Sequence, residues 1–445
     1  MRKIILLAFI AAISTNNLAQ SIREELTADF DKAGSNYYAY PGPTEKLTPA
    51  PGGKKPFYIS HYGRHGSRYL IHNREYDYPY ATLQMADRLG KLSEKGKMVL
   101  EHVRLLREEA QGRLGELTPI GAQQHQGIAK RMFERFPEVF KGNVCIDAKS
   151  TVVIRCIISM DNALRQLSAL NPKLHITSDA SEHDMYYMNL QDKTLYKMKW
   201  PKEALSVYNA YCKKHARHER PMMRLFNDSV YAWKNINLTR LNLAMFKLAS
   251  SVQGTKYHDK FSMFKDLYTA DELYHNWLQV NAYWNISYGS SPHNGGTQPF
   301  SQRNLLKKII QEADSCINIE HPGANLRFGH ETMVLPLTCL LGINGFDQQV
   351  SDLETLAERG WVNYKVFPMA ANLQIVFYRK NINDDDVLIK LLINENEATL
   401  PIKTDCAPYY HWKDVRNYCL EKLATYKEEA AIVRSYIRKA MIARR

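Results

Sequence analysis

One segment constrains this chain more than any other. A short apolar run, Phe57–His61, leads without interruption into Tyr62-Gly63-Arg64-His65-Gly66-Ser67-Arg68-Tyr69. The run is brief, aromatic and β-branched, so it predicts a buried strand. Gly63 and Gly66 leave room for close backbone approach in the turn that follows. Open α/β sheets bind ligands where strands end in such turns. Arginine offers a planar fork of donors matched to phosphate oxygens. A histidine between two guanidiniums has its cationic form disfavoured, and the neutral imidazole is the nucleophilic form.

Three further runs predict buried strands: Thr151–Ile158, Asn372–Tyr378 and Val387–Ile393. Amphipathic helices lie among them. Ala122–Phe136 carries Ile128, Met132, Phe133 and Phe136 on one face, behind a Thr118-Pro119 cap and first turn. Ser301 is expected to cap a helix bearing Leu305, Leu306, Ile309 and Ile310, and Val415–Ile442 reads as a closing helix. The middle of the chain is helical and turn-rich, with few strand signals. The expectation is an α/β fold interrupted by a mostly helical insertion. Its parts are a signal segment at 1–20, a first core part at 21–160, the insertion at 161–320 and a second core part at 321–445.

The N-terminus has the layout of a secretory signal: basic Arg2-Lys3, apolar Ile4–Ile13, then a polar stretch with Ala19. Cleavage near residues 18–21 and a periplasmic or secreted mature chain are expected. That apolar run is half of what spans a bilayer, and no other window matches it, which excludes stable membrane insertion. Cys406 and Cys419 are the preferred disulfide among seven cysteines, and the absence of any C-x-x-C pair argues against zinc ribbons and thioredoxin-type chemistry. The formal charge of +13 would suit nucleic acid, an anionic surface or a small polyanion. No nucleic-acid motif interleaves the aromatics with Lys and Arg, which argues against nucleic acid, and the summed charge would steer an anion such as a small polyanion toward a pocket.

The run Arg64-His65-Gly66-Ser67-Arg68 resembles the R-H-G-x-R motif of the histidine acid phosphatase branch of the histidine phosphatase superfamily. Within it, the chain is most similar to the multiple inositol polyphosphate phosphatases, which include bacterial phytases. Tyr69-Leu70 stands where that family often places a proline. Leu117-Thr118-Pro119-Ile120-Gly121 resembles the family's L-T-x-x-G helix start. Ser150–Cys156 resembles the strand that delivers a third arginine, and Leu326–Thr332 the distal histidine-plus-acid motif. Many of these inositol phosphatases carry His-Ala-Glu; here His330 and Glu331 are adjacent, as in the His-Asp pair of related acid phosphatases.

The resemblance implies a histidine-phosphatase-like α/β core and a metal-independent phosphomonoesterase without cofactor, acting on inositol polyphosphates such as phytate. His65 would be the nucleophile and Glu331 the general acid. Arg64, Arg68, Arg155 and His330 would hold the phosphoryl oxygens. Basic residues of Asp184–Lys202 or Lys213–Arg224 would select which phosphate enters. A zinc-protease reading fails because H-E-x-x-H needs histidine where Val334 stands. A P-loop and a G-x-S-x-G elbow are both absent. The alternatives are a broad-specificity acid phosphatase and an idle phosphate-binding protein.

Overall fold

The computed structural model describes residues 22–189 and 192–426. The signal segment at 1–20 and the part of the closing helix beyond residue 426 lie outside the described residues. Among the described residues, eight strands form one mixed sheet. They are β1 Lys55–Arg64, β2 Cys145–Ser150, β3 His175–Asp179, β4 Gly323–Gly329, β5 Asn372–Arg379, β6 Leu388–Ile393, β7 Asn396–Ala398 and β8 Tyr409–His411. Their order is β3-β2-β4-β1-β5-β6-β7, with β8 also on β6. The half from β3 to β1 is parallel, and β5 and β6 continue it antiparallel.

Alternation along the strands makes two faces. Ile59, Ala148, Leu326 and Val376 pack with Met132, Leu164 and Leu167, from the helices Pro119–Arg135 and Ile154–Leu170, and with Phe136 at the C-terminal cap of the first. Tyr58, Tyr62, Ile375 and Phe377 face the opposite core, with Leu306 and Ile310 of helix Arg303–Cys316 and Leu335 of helix Glu331–Leu340.

Between Asp179 and Gly323 the described residues are helical, with nothing longer than an isolated bridge at Phe226. Helix Leu238–Ser251 contributes Leu241 and Met245, and helix Ala270–Tyr288 contributes Leu273 and Trp277. These side chains join the core that also holds Leu83 and Val99, so the helical middle shares its packing with the early helices. β3 lies C-terminal to residue 160 and joins the main sheet, so the strand-free run begins after Asp179. No helix among the described residues is long and apolar enough to cross a membrane.

Several local expectations change. Thr151–Ile158 is not a strand: β2 ends at Ser150 and a helix starts at Ile154. The β-branched run spans the connection and the first helical residue, where Val152 and Ile154 are exposed, at 39% and 67%. Composition imitates a strand there without a sheet neighbour to pair with. Ser301 falls inside a short 3-10 turn, Gln298–Gln302, and Gln302 is the residue at the helix cap. Cys406 and Cys419 are free thiols, as are the other five cysteines. Thr118 does cap its helix, accepting from the Gly121 N–H, with Pro119 in the first turn.

Gly121 presses against the turn after β1: a Cβ there would lie 2.3 Å from the Ser67 carbonyl oxygen. Replacing it by alanine is expected to cost on the order of 2–3 kcal/mol. Gly127 lies on the same helix, where an added Cβ meets only the flexible end of Arg131. Gly127→Ala should be neutral or stabilising by about 0.5–1 kcal/mol. Urea denaturation of the two variants checks the contrast.

Candidate active site

Three parallel strands deliver their C-terminal ends to one place. Arg64 at the end of β1 pairs in register with Gly329 at the end of β4, and Ser150 of β2 pairs with Phe328. The residues just past the two central strands, His65 and His330, therefore stand side by side. Their rings are 5.7 Å apart, edge to face. The His65 N–H donates to Gly329 O (2.9 Å), and Ala370 N–H donates to His65 O (2.9 Å). Ala370 adopts a left-handed φ of 57°, a strain tolerated where its amide holds the histidine backbone.

The turn is braced by the Leu117-Thr118-Pro119-Ile120-Gly121 helix start. Thr118 N–H and Oγ1 both donate to Ser67 O, and Gln124 accepts from Ser67 N–H at 2.9 Å while donating to Ser67 Oγ at 2.9 Å. Gly66 must be glycine, because a Cβ would meet Gly121 backbone at 2.4 Å. Its N–H donates to Ser159 Oγ, on the helix that follows β2.

His65 Nδ1 lies 2.9 Å from Gly66 O. A carbonyl only accepts, so Nδ1 carries the proton and Nε2 keeps its lone pair. Nε2 has no hydrogen-bond partner among the described residues and sits 3.8 Å from Glu331. Burial first, then Arg64, Arg155 and Arg68, holds the imidazole pKa well below 6.5, so the ring stays neutral.

Arg64 is fully buried. Its Nη1 donates to the carbonyls of Asn36 and Phe367, and its Nε pairs with Glu331 at 3.0 Å. Arg68 lies over the Tyr37 ring at 5.0 Å and donates to the Tyr37 hydroxyl. Arg64 Nη2, Arg68 Nε and Arg155 Nε are buried donors with no hydrogen-bond partner among the described residues. Buried orphan donors on permanent cations call for an anion with several acceptor oxygens.

Glu331 opens the helix after β4 and accepts from Asn36 Nδ2 at 3.2 Å. Burial alone would raise its carboxyl, but Arg64, then Arg68 and His330, outweigh it and hold the pKa at about 2. His330 is lowered to about 4, chiefly by burial. His65, His330 and Glu331 bring ligand-type atoms within 4.8 Å of one another, as a metal would need. The surrounding guanidiniums make the local field favour an anion over a cation.

All six residues named from sequence converge here, with one relocation: Arg155 comes from the first turn of helix Ile154–Leu170, not from a strand. His61 is packed under Phe328, at 5.4 Å between rings. Asn36 and Tyr37 went unrecognised in the sequence, because a short 3-10 segment carries them with no motif. Thr151, which approaches His330 Nε2 at 3.3 Å, was hidden inside the mistaken strand.

Residues 63–394 match the family described as Histidine phosphatase superfamily (branch 2). The chain is 23% identical over 330 residues to a multiple inositol polyphosphate phosphatase 1 of Gallus gallus, covering 69% of this chain and 70% of that protein. A Bifidobacterium longum multiple inositol polyphosphate phosphatase, solved with inositol hexasulfate, superposes with a TM-score of 0.71 at 18% identity, covering 86% of this chain and 97% of that one. A D. castellii phytase gives 0.65 at 15% identity, covering 88% and 85%.

Buried neutral histidines predict a pH dependence. His61 is held at about 3, and His125 and His330 at about 4, all chiefly by burial, against an ordinary value of 6.5. Below 6.5 the unfolded chain binds protons that the fold refuses, so stability falls as pH drops from 6.5 toward 4. Each histidine contributes up to about 1.4 kcal/mol per pH unit. Glu331 acts lower: its depressed pKa adds stability above about 4.5 that is lost as pH falls toward 2. Urea midpoints at pH 7 and pH 5 should show the loss, and His125→Gln should make it shallower.

Proposed function

The chain belongs to branch 2 of the histidine phosphatase superfamily, and on that footing we propose an exported phosphomonoesterase that cleaves inositol polyphosphates, phytate among them, through a phosphohistidine on His65 and without a metal ion. The observation that carries this reading is the unpartnered lone pair of His65 Nε2, set among three guanidiniums with unpaired buried donors.

In the proposed reaction Nε2 attacks phosphorus in line and the P–O ester bond breaks. Arg64, Arg68, Arg155 and His330 hold the phosphoryl oxygens and stabilise the charge that builds on them. The departing alkoxide takes a proton from Glu331. Water then attacks the phosphohistidine, giving its proton back to Glu331 as the P–N bond breaks and phosphate leaves. With no ligand bound, the arginines keep Glu331 ionised. A phosphoryl dianion competes for the same guanidiniums and raises the carboxyl, so the proton donor forms with substrate in place. Three arginines supply the neutralisation that a metal would otherwise give, which supports metal independence. The relative solved with inositol hexasulfate supports a polyanionic ligand. Export rests on the basic, apolar and polar order of residues 1–20.

Phosphate release from phytate in EDTA is expected for the wild type and abolished in His65→Ala. Glu331→Gln should lose on the order of 10²- to 10⁴-fold on phytate. It should lose far less on p-nitrophenyl phosphate, whose leaving group needs no proton. Turnover of p-nitrophenyl phosphate without phytate would replace this reading by a broad-specificity acid phosphatase, and turnover of neither by a phosphate-binding protein. Amino-terminal sequencing of the mature chain tests export, with cleavage between residues 18 and 21 expected.

A further inference from the structure

The basic residues of the helical wall differ in what neutralises them. Lys214 pairs with Glu354 at 2.9 Å, and Arg220 pairs with Glu272. Lys199 has no carboxylate partner among the described residues. Its Nζ lies 3.6 Å from the centre of the Tyr288 ring, and Tyr196 offers a second ring at 5.7 Å.

Lys199, Tyr196, Tyr288, Ser301 and Thr332 line a cavity of about 110 Å³ together with Asp192, whose carboxylate is paired with Arg303 at 2.7 Å. Thr332 follows Glu331 directly, and Tyr288 is close enough to Glu331 for that charge to help raise its hydroxyl pKa. The cavity therefore abuts the phosphate site on the side of the proposed proton donor. Burial lowers the Lys199 ammonium to about 8. An aromatic face steadies such a cation without neutralising it. Its backbone is fixed as well, since Lys199 O accepts from Asn294 Nδ2 at 3.1 Å.

The geometry points to Lys199, seated on Tyr288, as the docking group for a second phosphate of a substrate whose first phosphate is held by Arg64, Arg68 and Arg155. Ser301 and Thr332 offer hydroxyl donors on the same cavity wall. Discrimination between polyphosphorylated and singly phosphorylated ligands then resides in Lys199. This rests on the inositol polyphosphate reading above and assigns its selectivity to one side chain.

The test measures inhibition of p-nitrophenyl phosphate hydrolysis by inositol hexakisphosphate and by orthophosphate, and takes the ratio of the two inhibition constants. Orthophosphate reports the first site alone, and the hexakisphosphate reports both. Lys199→Met should shift the ratio about tenfold against the hexakisphosphate, the loss of one charge-assisted contact at a part-exposed site. Lys199→Arg should restore most of it. Lys199→Gln serves the same purpose if the methionine variant melts early. An unchanged ratio in Lys199→Met or Lys199→Gln overturns the assignment. So does an equal rise in both constants, which marks a structural role. Failure of the substrate reading is separate: it shows as no phosphate release from phytate by wild type, while the ratio still reports the subsite.

Discussion

Burying Arg64 is the constraint on which this site is built. A guanidinium cannot shed its charge, so the protein must surround it with acceptors or leave a costly unpaired cation. The acceptors come from far apart in the chain: Asn36 O before β1, Phe367 O before β5, and Glu331 after β4. With Arg68 and Arg155 nearby, the same charge adds to burial in keeping His65 and His330 neutral, and overrides burial in keeping Glu331 ionised.

The adjacency of His330 and Glu331 also has a structural meaning. His330 is the last extended residue and Glu331 the first of a helix, so the chain turns between them. The turn sends the histidine toward His65 and the carboxylate toward Arg64 without a spacer residue. Asn36 then fixes the second carboxylate oxygen from the opposite wall.

Much of this was legible in sequence because periodicity and caps are local. β1, β5, β6 and the Thr118-capped helix each carry their signal within a few residues. What failed was pairing. Thr151-Val152-Val153-Ile154 has the composition of a strand, yet β2 lies just before it, because β4 and β3 hydrogen-bond to Cys145–Ser150 instead. Arg155 was named correctly but placed on the wrong element for the same reason. Asn36 and Tyr37 contribute through a backbone carbonyl, one amide and one ring, and a single chain without motif cannot mark such contacts. The signal that could have exposed them is the accounting of buried arginine donors, which requires more acceptors than the recognised motifs contain.

The pairing of β1 with β4 joins stretches far apart in the chain; Tyr58 hydrogen-bonds Asn325 across 267 positions. Loop closure over such a span is slow, and it comes after local helices have formed. His65 and Glu331, the proposed nucleophile and acid, sit on opposite sides of that seam. A chain that has collapsed only locally therefore holds His65 in a turn without Glu331 and without the carbonyls that restrain Arg64. Assembly of the site waits on this long-range pairing, so the appearance of activity during refolding reports the closing of the seam and not the earlier gain of helix.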